Sequence, residues 1–395
     1  MKKWLASGLI FLLTSCSQFL PPAPADEEVL DGMVDGLTGP QKASFLEGDE
    51  LFGKVFGTED GLGPIFVQTA CASCHAGDGK AHPANLLYRT QHPDYGPQLQ
   101  HVAIPGYTPE PIYGFAVSKR VAPAVTGLGF LAAVPDSVIL ERADPNDADS
   151  DGVSGVPHWL VPADFFEPSE GQGDSLFGTE KRYIGRFGFK AINASLREQT
   201  AGALNQDMGI TSDFKMEDPY NYDVGQHSGD RVSDPEISAQ EVNNIVFYLR
   251  TLKVPPRRGE TDAGVLTGES LFTVIGCAQC HIPVLKTGRS EIAALSEKVF
   301  HPYTDLLLHD MGSELDDAVA EINAKSSEWR TTPLWGIGLA ATAQGGKDYF
   351  LHDGSATTLE QAINKHGGEG SRARQNFQNL SANDKDKIIR FLESL

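Results

Sequence analysis

Apolar residues recur one turn apart in two stretches of the chain, Ile245, Leu249 and Leu252 in the first and Ile388, Leu392 and Leu395 in the second. This period predicts an amphipathic helix in each, with Ser238 and Ser381 as N-caps. The two stretches, residues 237–252 and 380–395, align without a gap and share a Ser-Ala start. Upstream, Gly48-Asp49-Glu50-Leu51-Phe52 matches Gly268-Glu269-Ser270-Leu271-Phe272. The chain therefore carries two copies of one unit. A different apolar run, residues 4–13, follows Lys2 and Lys3 and is too short to span a bilayer as a mature helix. It reads as an export signal.

That run ends in Leu13-Thr14-Ser15-Cys16, which resembles a bacterial lipobox with Cys16 as the lipidated residue. The expected product is a periplasm-facing lipoprotein of the cell envelope, and Ser17 after the cysteine points to sorting to the outer membrane. Residues 1–15 are then the signal peptide, and residues 16–40, which include Pro21-Pro22-Ala23-Pro24, a lipid-anchored flexible tether. The 395 residues hold 53 acidic and 32 basic side chains, a net charge of −21. That field repels a phosphate backbone and suits a basic protein partner or a small neutral molecule, not nucleic acid.

Beyond Cys16 four cysteines remain, and in an oxidising compartment four would ordinarily be read as two disulfides. Their spacing argues otherwise. They fall in Cys71-Ala72-Ser73-Cys74-His75 and Cys277-Ala278-Gln279-Cys280-His281, two complete copies of the attachment motif for a c-type haem. Two thiols one turn apart can each add to a haem vinyl group, and His75 or His281 then stands beneath the iron as proximal ligand. Thioredoxin-type chemistry gives no reason for the histidine, and adjacent Cys and His suit a tetrahedral zinc site poorly.

A helix bearing Gly-x-x-Leu-Phe, a haem-attachment segment and a closing amphipathic helix together resemble the cytochrome c fold. The expected fold is mainly α, with two cytochrome c-like domains at residues 41–254 and 258–395, hinged at Pro255-Pro256-Arg257-Arg258. The first is enlarged by a long, loop-rich insertion between His75 and Ile237. Within it, Asp147, Asp149 and Asp151 alternate before Gly152, like the start of an EF-hand-type loop in which the Val153 carbonyl would complete a calcium set. The twelfth position is His158 instead of the usual Glu, and a solvated acidic turn is the competing reading.

Further motifs carry a closer resemblance. Gly185-Arg186-Phe187-Gly188-Phe189-Lys190-Ala191, Leu308-His309-Asp310-Met311-Gly312, residues 329–335, Phe350-Leu351-His352-Asp353-Gly354 and His366-Gly367-Gly368-Glu369 resemble the di-haem oxidoreductase branch of the bacterial di-haem cytochrome c peroxidase and MauG superfamily. The resemblance implies a sixth ligand for the second haem fourteen positions after His352. Here that residue is His366, where the peroxidases have Met and MauG has Tyr. Met311 is the competing ligand, and Met208 sits in a second Asp-Met-Gly triplet. The resemblance also implies distal groups at the first haem, a Gln followed ten residues later by a Glu; Gln100 and Glu110 stand at that spacing. These two and His352 are the candidate catalytic residues. His82, His92 and His101 lie nearby, and any of them on the iron would close the site. Trp159, Trp329 and Trp335 are available as electron relays, and Arg186 and Lys190 as partners for haem propionates.

The function expected is electron transfer through two covalent haems, with a small oxidant such as hydrogen peroxide reduced at the N-terminal one. A non-enzymatic di-haem electron carrier, or MauG-like oxidation of a partner protein, are the alternatives. Thiol oxidation has no support, because the two motifs use every remaining cysteine.

Overall fold

The computed structural model describes residues 30–169, 171–177, 179–225 and 229–395. The proposed signal peptide, Cys16 and the tether up to residue 29 lie outside the described residues. Among the described residues there are eleven helices, with 33% of residues helical and 12% in strands. The helices are α1 (Gly39–Gly53), α2 (Cys71–Cys74), α3 (Leu128–Ala132), α4 (Asp136–Leu140), α5 (Leu196–Met208), α6 (Ala239–Thr251), α7 (Ala263–Val274), α8 (Ala340–Ala343), α9 (Leu359–Asn364), α10 (Ser371–Gln378) and α11 (Ala382–Ser394). No described helix is long and apolar enough to cross a membrane.

The repeat is visible as two equivalent helix crossings. α1 crosses α6 at Gly48, where a Cβ would lie 2.2 Å from the Asn244 carbonyl oxygen and 2.7 Å from Tyr248 Cβ. α7 crosses α11 at Gly268, where the same atom would meet Lys387 O at 2.0 Å and Phe391 Cβ at 2.8 Å. The ungapped alignment pairs Asn244 with Lys387 and Tyr248 with Phe391. Only a glycine lets either pair of backbones approach so closely. Ser238 and Ser381 cap α6 and α11 as expected, their hydroxyls accepting the N–H groups of Glu241 and Asp384. One apolar cluster surrounds the first crossing, with Phe45, Phe52, Ile245 and Tyr248; a second, with Val265, Phe272, Ile388 and Phe391, surrounds the other.

The strands are short antiparallel pairs. Residues 86–89 pair with 118–121, Trp159–Leu160 with Ile184 and Tyr183, and Leu308–Asp310 with Glu328–Arg330. They satisfy the backbone of long connecting segments that no helix serves. The insertion also reaches the second half. Val156 bridges to Leu308, the Val121 N–H donates to the His352 carbonyl at 2.8 Å, and Arg120 pairs with Asp317 at 2.9 Å and Glu321 at 2.5 Å.

One sequence expectation needs correction. Residues 30–38, read as the end of a flexible tether, are held in place: Met33 bridges to Leu252, the Val34 N–H donates to the Thr251 carbonyl at 2.8 Å, and Val34 and Leu37 are buried with Ile292 and Leu295. Their apolar side chains outweigh the polar, Pro-rich character of the residues before them. The C-terminal end of the 255–258 segment is anchored to the second unit, where Arg257 pairs with Glu269 at 2.9 Å and the Arg258 N–H donates to the Ser394 carbonyl at 2.8 Å.

Candidate haem cavities

Each Cys-x-x-Cys-His segment forms a single turn on the wall of a cavity. Cys71 and Cys74 occupy α2, and with His75 they line a space of about 890 Å³. Cys277, Cys280 and His281 line a smaller one of about 280 Å³. None of these four cysteines is disulfide-bonded, and burial pushes the Cys71, Cys74 and Cys277 thiols up to about 12. Burial lowers His75 and His281 to about 4, so both imidazoles are neutral, the form that binds a metal. His281 Nδ1 bonds the Tyr303 carbonyl at 2.9 Å, which leaves Nε2 for a ligand. Phe52 lies 5.9 Å from His75 and Phe272 lies 6.2 Å from His281 between ring centres, another echo of the repeat.

The residues present fit a haem in each place. Both linings are largely apolar, and each offers two thiols and an imidazole. Buried polar atoms without a hydrogen-bond partner belong to residues lining the first cavity: His75 Nδ1, Thr126 Oγ1, Arg186 Nε and Thr200 Oγ1. Thr331 Oγ1 is a further one, on a residue lining the second. Atoms of this kind are rare in a folded protein unless a further group meets them. The two cavities also adjoin, sharing Pro123, Ala124, Thr126, Phe189, Arg330, Thr332, Pro333 and Trp335 in their linings.

In the second cavity His366 and Met311 both join His281 in the lining. His366 Nδ1 bonds the Ala362 carbonyl at 2.8 Å, so its Nε2, like that of His281, is left without this partner. In the first cavity Met208 lines the wall and is buried.

Gln100 and Glu110 are brought together but stand behind the first cavity, not on its wall. Glu110 accepts the Gln100 N–H at 2.7 Å and the Gly96 N–H at 3.3 Å, and Gln100 Nε2 donates to the carbonyls of Ile65 and Asn205. The residues that reach the cavity from this loop are Thr90, Gln91, His92, Tyr95, Gly96, Pro97 and Gln98. Of the three nearby histidines only His92 lines the cavity, stacked on Tyr95; His82 packs on Tyr349 and His101 on Tyr88. The spacing of the pair was legible, but its orientation depends on a loop whose path no local pattern dictates. Three acids do line this cavity: Glu321 is paired with Arg89 and Arg120, Glu198 accepts the Ala194 and Ser195 N–H groups, and Asp207, beside Met208, has its carboxyl pushed up to about 7 by burial.

His352 lines the second cavity with its ring against Trp329. Trp335 lies on the shared wall, Trp329 on the second cavity alone, and Trp159 on neither. The two basic residues expected to meet haem propionates are largely engaged within the protein. Arg186 spends its terminal nitrogens on the Leu131, Ala132 and Val134 carbonyls and on Asp136, leaving only Nε. Lys190 Nζ bonds the carbonyls of Lys325, Ser326 and Glu328 at 2.8–2.9 Å. A buried cation needs such acceptors, and both residues found them in backbone carbonyls.

The calcium-like loop also differs from expectation. The carboxylates that converge are Asp144, Asp147 and Asp149. Asp151 turns instead to Gln279, accepting its Nε2–H at 2.7 Å, Val153 lines the second cavity, and His158 bonds the Lys190 carbonyl. A link that sequence reasoning did not assign joins two of the quoted motifs: His309 is held by Asp305 at 2.8 Å and Glu369 at 2.7 Å, with Cys280 Sγ 3.6 Å away. Burial opposes a charge on His309, but these neighbours hold its pKa far above the usual range.

A pair of adjoining cavities so equipped is the arrangement of a di-haem redox protein. The chain belongs to the di-haem oxidoreductase family, whose model, described as "Di-haem oxidoreductase, putative peroxidase", matches residues 114–395. No curated protein matches the chain. Among solved structures it is similar to hydrazine synthase of Kuenenia stuttgartiensis pressurised with xenon, at 13% identity and a TM-score of 0.39, over 98% of this chain and 100% of that one. It is also similar to a MauG-like protein associated with microbial copper homeostasis, at 17% identity and a TM-score of 0.30, over 52% of this chain and 68% of that one.

Proposed function

We propose that this is a c-type di-haem oxidoreductase that takes electrons from a basic donor protein and delivers them to a small oxidant such as hydrogen peroxide in the N-terminal cavity. Each peroxide consumes two electrons and two protons and yields two waters. The observation that carries the reading is the inequality of two adjoining cavities: the second sets His366 beside His281 in about 280 Å³, whereas the first has about 890 Å³. When bound, each haem supplies one-electron chemistry at iron, and an iron with a free axial position can take a small oxidant.

The chain's own residues do the rest. Cys71, Cys74, Cys277 and Cys280 would form the covalent links to the haems, and His75 and His281 would hold the metals. His366 closes the C-terminal site, with Met311 in reserve. Trp335 fills the wall between the sites. Asp207, with a carboxyl that titrates near neutrality, holds and releases a proton inside the N-terminal cavity. Glu110 fixes the 96–100 loop that closes the same space. The two units built on the α1–α6 and α7–α11 crossings are read as cytochrome c-like domains. The lipobox-like end at Cys16 supports an outer-membrane lipoprotein facing the periplasm, and the net charge of −21 supports a basic partner. The convergence of Asp144, Asp147 and Asp149 supports a calcium ion in the insertion loop.

Stopped-flow mixing of the reduced holoprotein with hydrogen peroxide tests the activity; oxidation no faster than that of free haem would refute it. Met208 on the wall of the first cavity favours one other reading, a carrier with both irons six-coordinate. An EPR spectrum of the oxidised protein with two low-spin sets and no high-spin iron would select that reading.

A further inference from the structure

A second group of acids lies far along the chain from the EF-hand-like loop, where the segment leaving α5 turns back towards α6. Asp218, Asp230 and Glu236 each offer an oxygen, and these oxygens lie within 4.8 Å of one another. Asp218 Oδ2 accepts the Asp230 N–H at 3.3 Å, Asp230 Oδ1 the Val232 N–H at 2.8 Å, and Glu236 Oε2 the N–H and hydroxyl of Thr211, both at 2.5 Å. The remaining oxygens, Asp218 Oδ1, Asp230 Oδ2 and Glu236 Oε1, are sealed from solvent with no donor. Asp230 is only 7% exposed. None of the ion pairs among the described residues involves these three side chains.

Buried carboxylate oxygens are ordinarily paired with a donor or a cation, and an unpaired cluster is costly. Here one such oxygen on each of three neighbouring acids is left over, with no basic side chain among the described residues paired to it. We propose that Asp218, Asp230 and Glu236 bind a calcium ion. The set is all oxygen, with neither thiol nor imidazole, which suits a hard cation, and calcium accepts several carboxylates together with water in a flexible shell. The ion ties the start of the 209–237 segment to its end, because Glu236 also holds Thr211. Immediately before that segment, Asp207 and Met208 end the stretch of α5 that lines the first haem cavity. The site thus braces one wall of that cavity from outside.

The test uses the full-length holoprotein stripped with EGTA and titrated calorimetrically with CaCl₂. The double variant Asp230→Asn/Glu236→Gln is expected to lose one equivalent of calcium, whereas Asp147→Asn/Asp149→Asn keeps that equivalent. Calcium is expected to raise the melting temperature of the parent and of the Asp147/Asp149 variant, but not of the Asp230/Glu236 variant. In EGTA the latter should melt no lower than the parent, because it removes like-charge repulsion; a lower melting point there would show ordinary structural carboxylates and overturn the proposal. So would equal calcium uptake by parent and variant, or an equal response of the parent to MgCl₂. Asp218→Asn provides an independent check and should lose the same equivalent.

Discussion

The His352 imidazole lies flat on the Trp329 indole, with ring centres 3.8 Å apart and planes 14° from parallel. Lys190 Nζ sits 3.8 Å from the same indole, whose Nε1–H donates to the Leu315 carbonyl at 2.8 Å. Burial drives His352 down to about 4, so this is a neutral ring stacked on a tryptophan that also faces a cation. Replacing Trp329 with Leu removes the stack, the cation contact and the donor to Leu315 together. The expected loss is about 3 kcal/mol, read from the urea midpoint of the holoprotein.

His281 and His366 both line the second cavity, and the proposal that they share its metal predicts a spectroscopic change. His366→Ala should convert one low-spin signal of the oxidised protein to high spin in EPR and leave the other iron as it was. His366→Met should raise the midpoint potential of one haem in a redox titration, since thioether ligation favours the reduced state. If both variants give the parent spectrum, Met311 is the ligand.

Asp207 predicts a pH dependence. Its carboxyl titrates near 7 in the fold against 3.8 for the free group, so between those values the native state holds a proton that the unfolded chain has released. Stability attributable to this residue therefore falls as pH rises from about 4 to 7 and is level above, a change of about 4 kcal/mol at most. Asp207→Asn should flatten that part of the curve of urea midpoint against pH. In the same variant, loss of the decline in peroxide reduction that the parent shows above neutrality would tie the proton to turnover; an unchanged profile would exclude that role.

Gly48 and Gly268 occupy equivalent crossings, and an added methyl at either meets a backbone carbonyl at 2.0–2.2 Å. Gly48→Ala and Gly268→Ala should each destabilise by about 3 kcal/mol, the upper end of ordinary overpacking, because backbone and not a flexible side chain must move. Denaturant titration of each variant, with haem content measured by the pyridine assay, gives the comparison.

The features legible in the sequence were local ones. A turn-spaced Cys pair with its histidine, a serine cap and an Ile-Leu-Leu stripe are dictated within a few residues, so both attachment turns and both closing helices stand where the pattern puts them. Glu110, Arg186 and Lys190 are different, because their roles depend on which distant backbone meets them. Asp151 illustrates the point. Its alternate spacing with Asp147 and Asp149 suggested a shared ion, yet Gln279, from the second attachment segment, draws it away and Asp144 converges in its place. Asp207 carries no spacing signal, and only the closure of the cavity around it reveals its chemistry.

The Ser154 hydroxyl and N–H both donate to Glu369, at 2.6 and 3.0 Å, and Glu369 in turn holds His309 beside Cys280. A piece of the first repeat thus serves as part of the second repeat's haem housing. The halves are for that reason not interchangeable modules: cutting the chain after residue 257 would yield a C-terminal fragment stripped of its lid, its attachment turn open to water. Two similar helix crossings are thus joined into one interdependent structure.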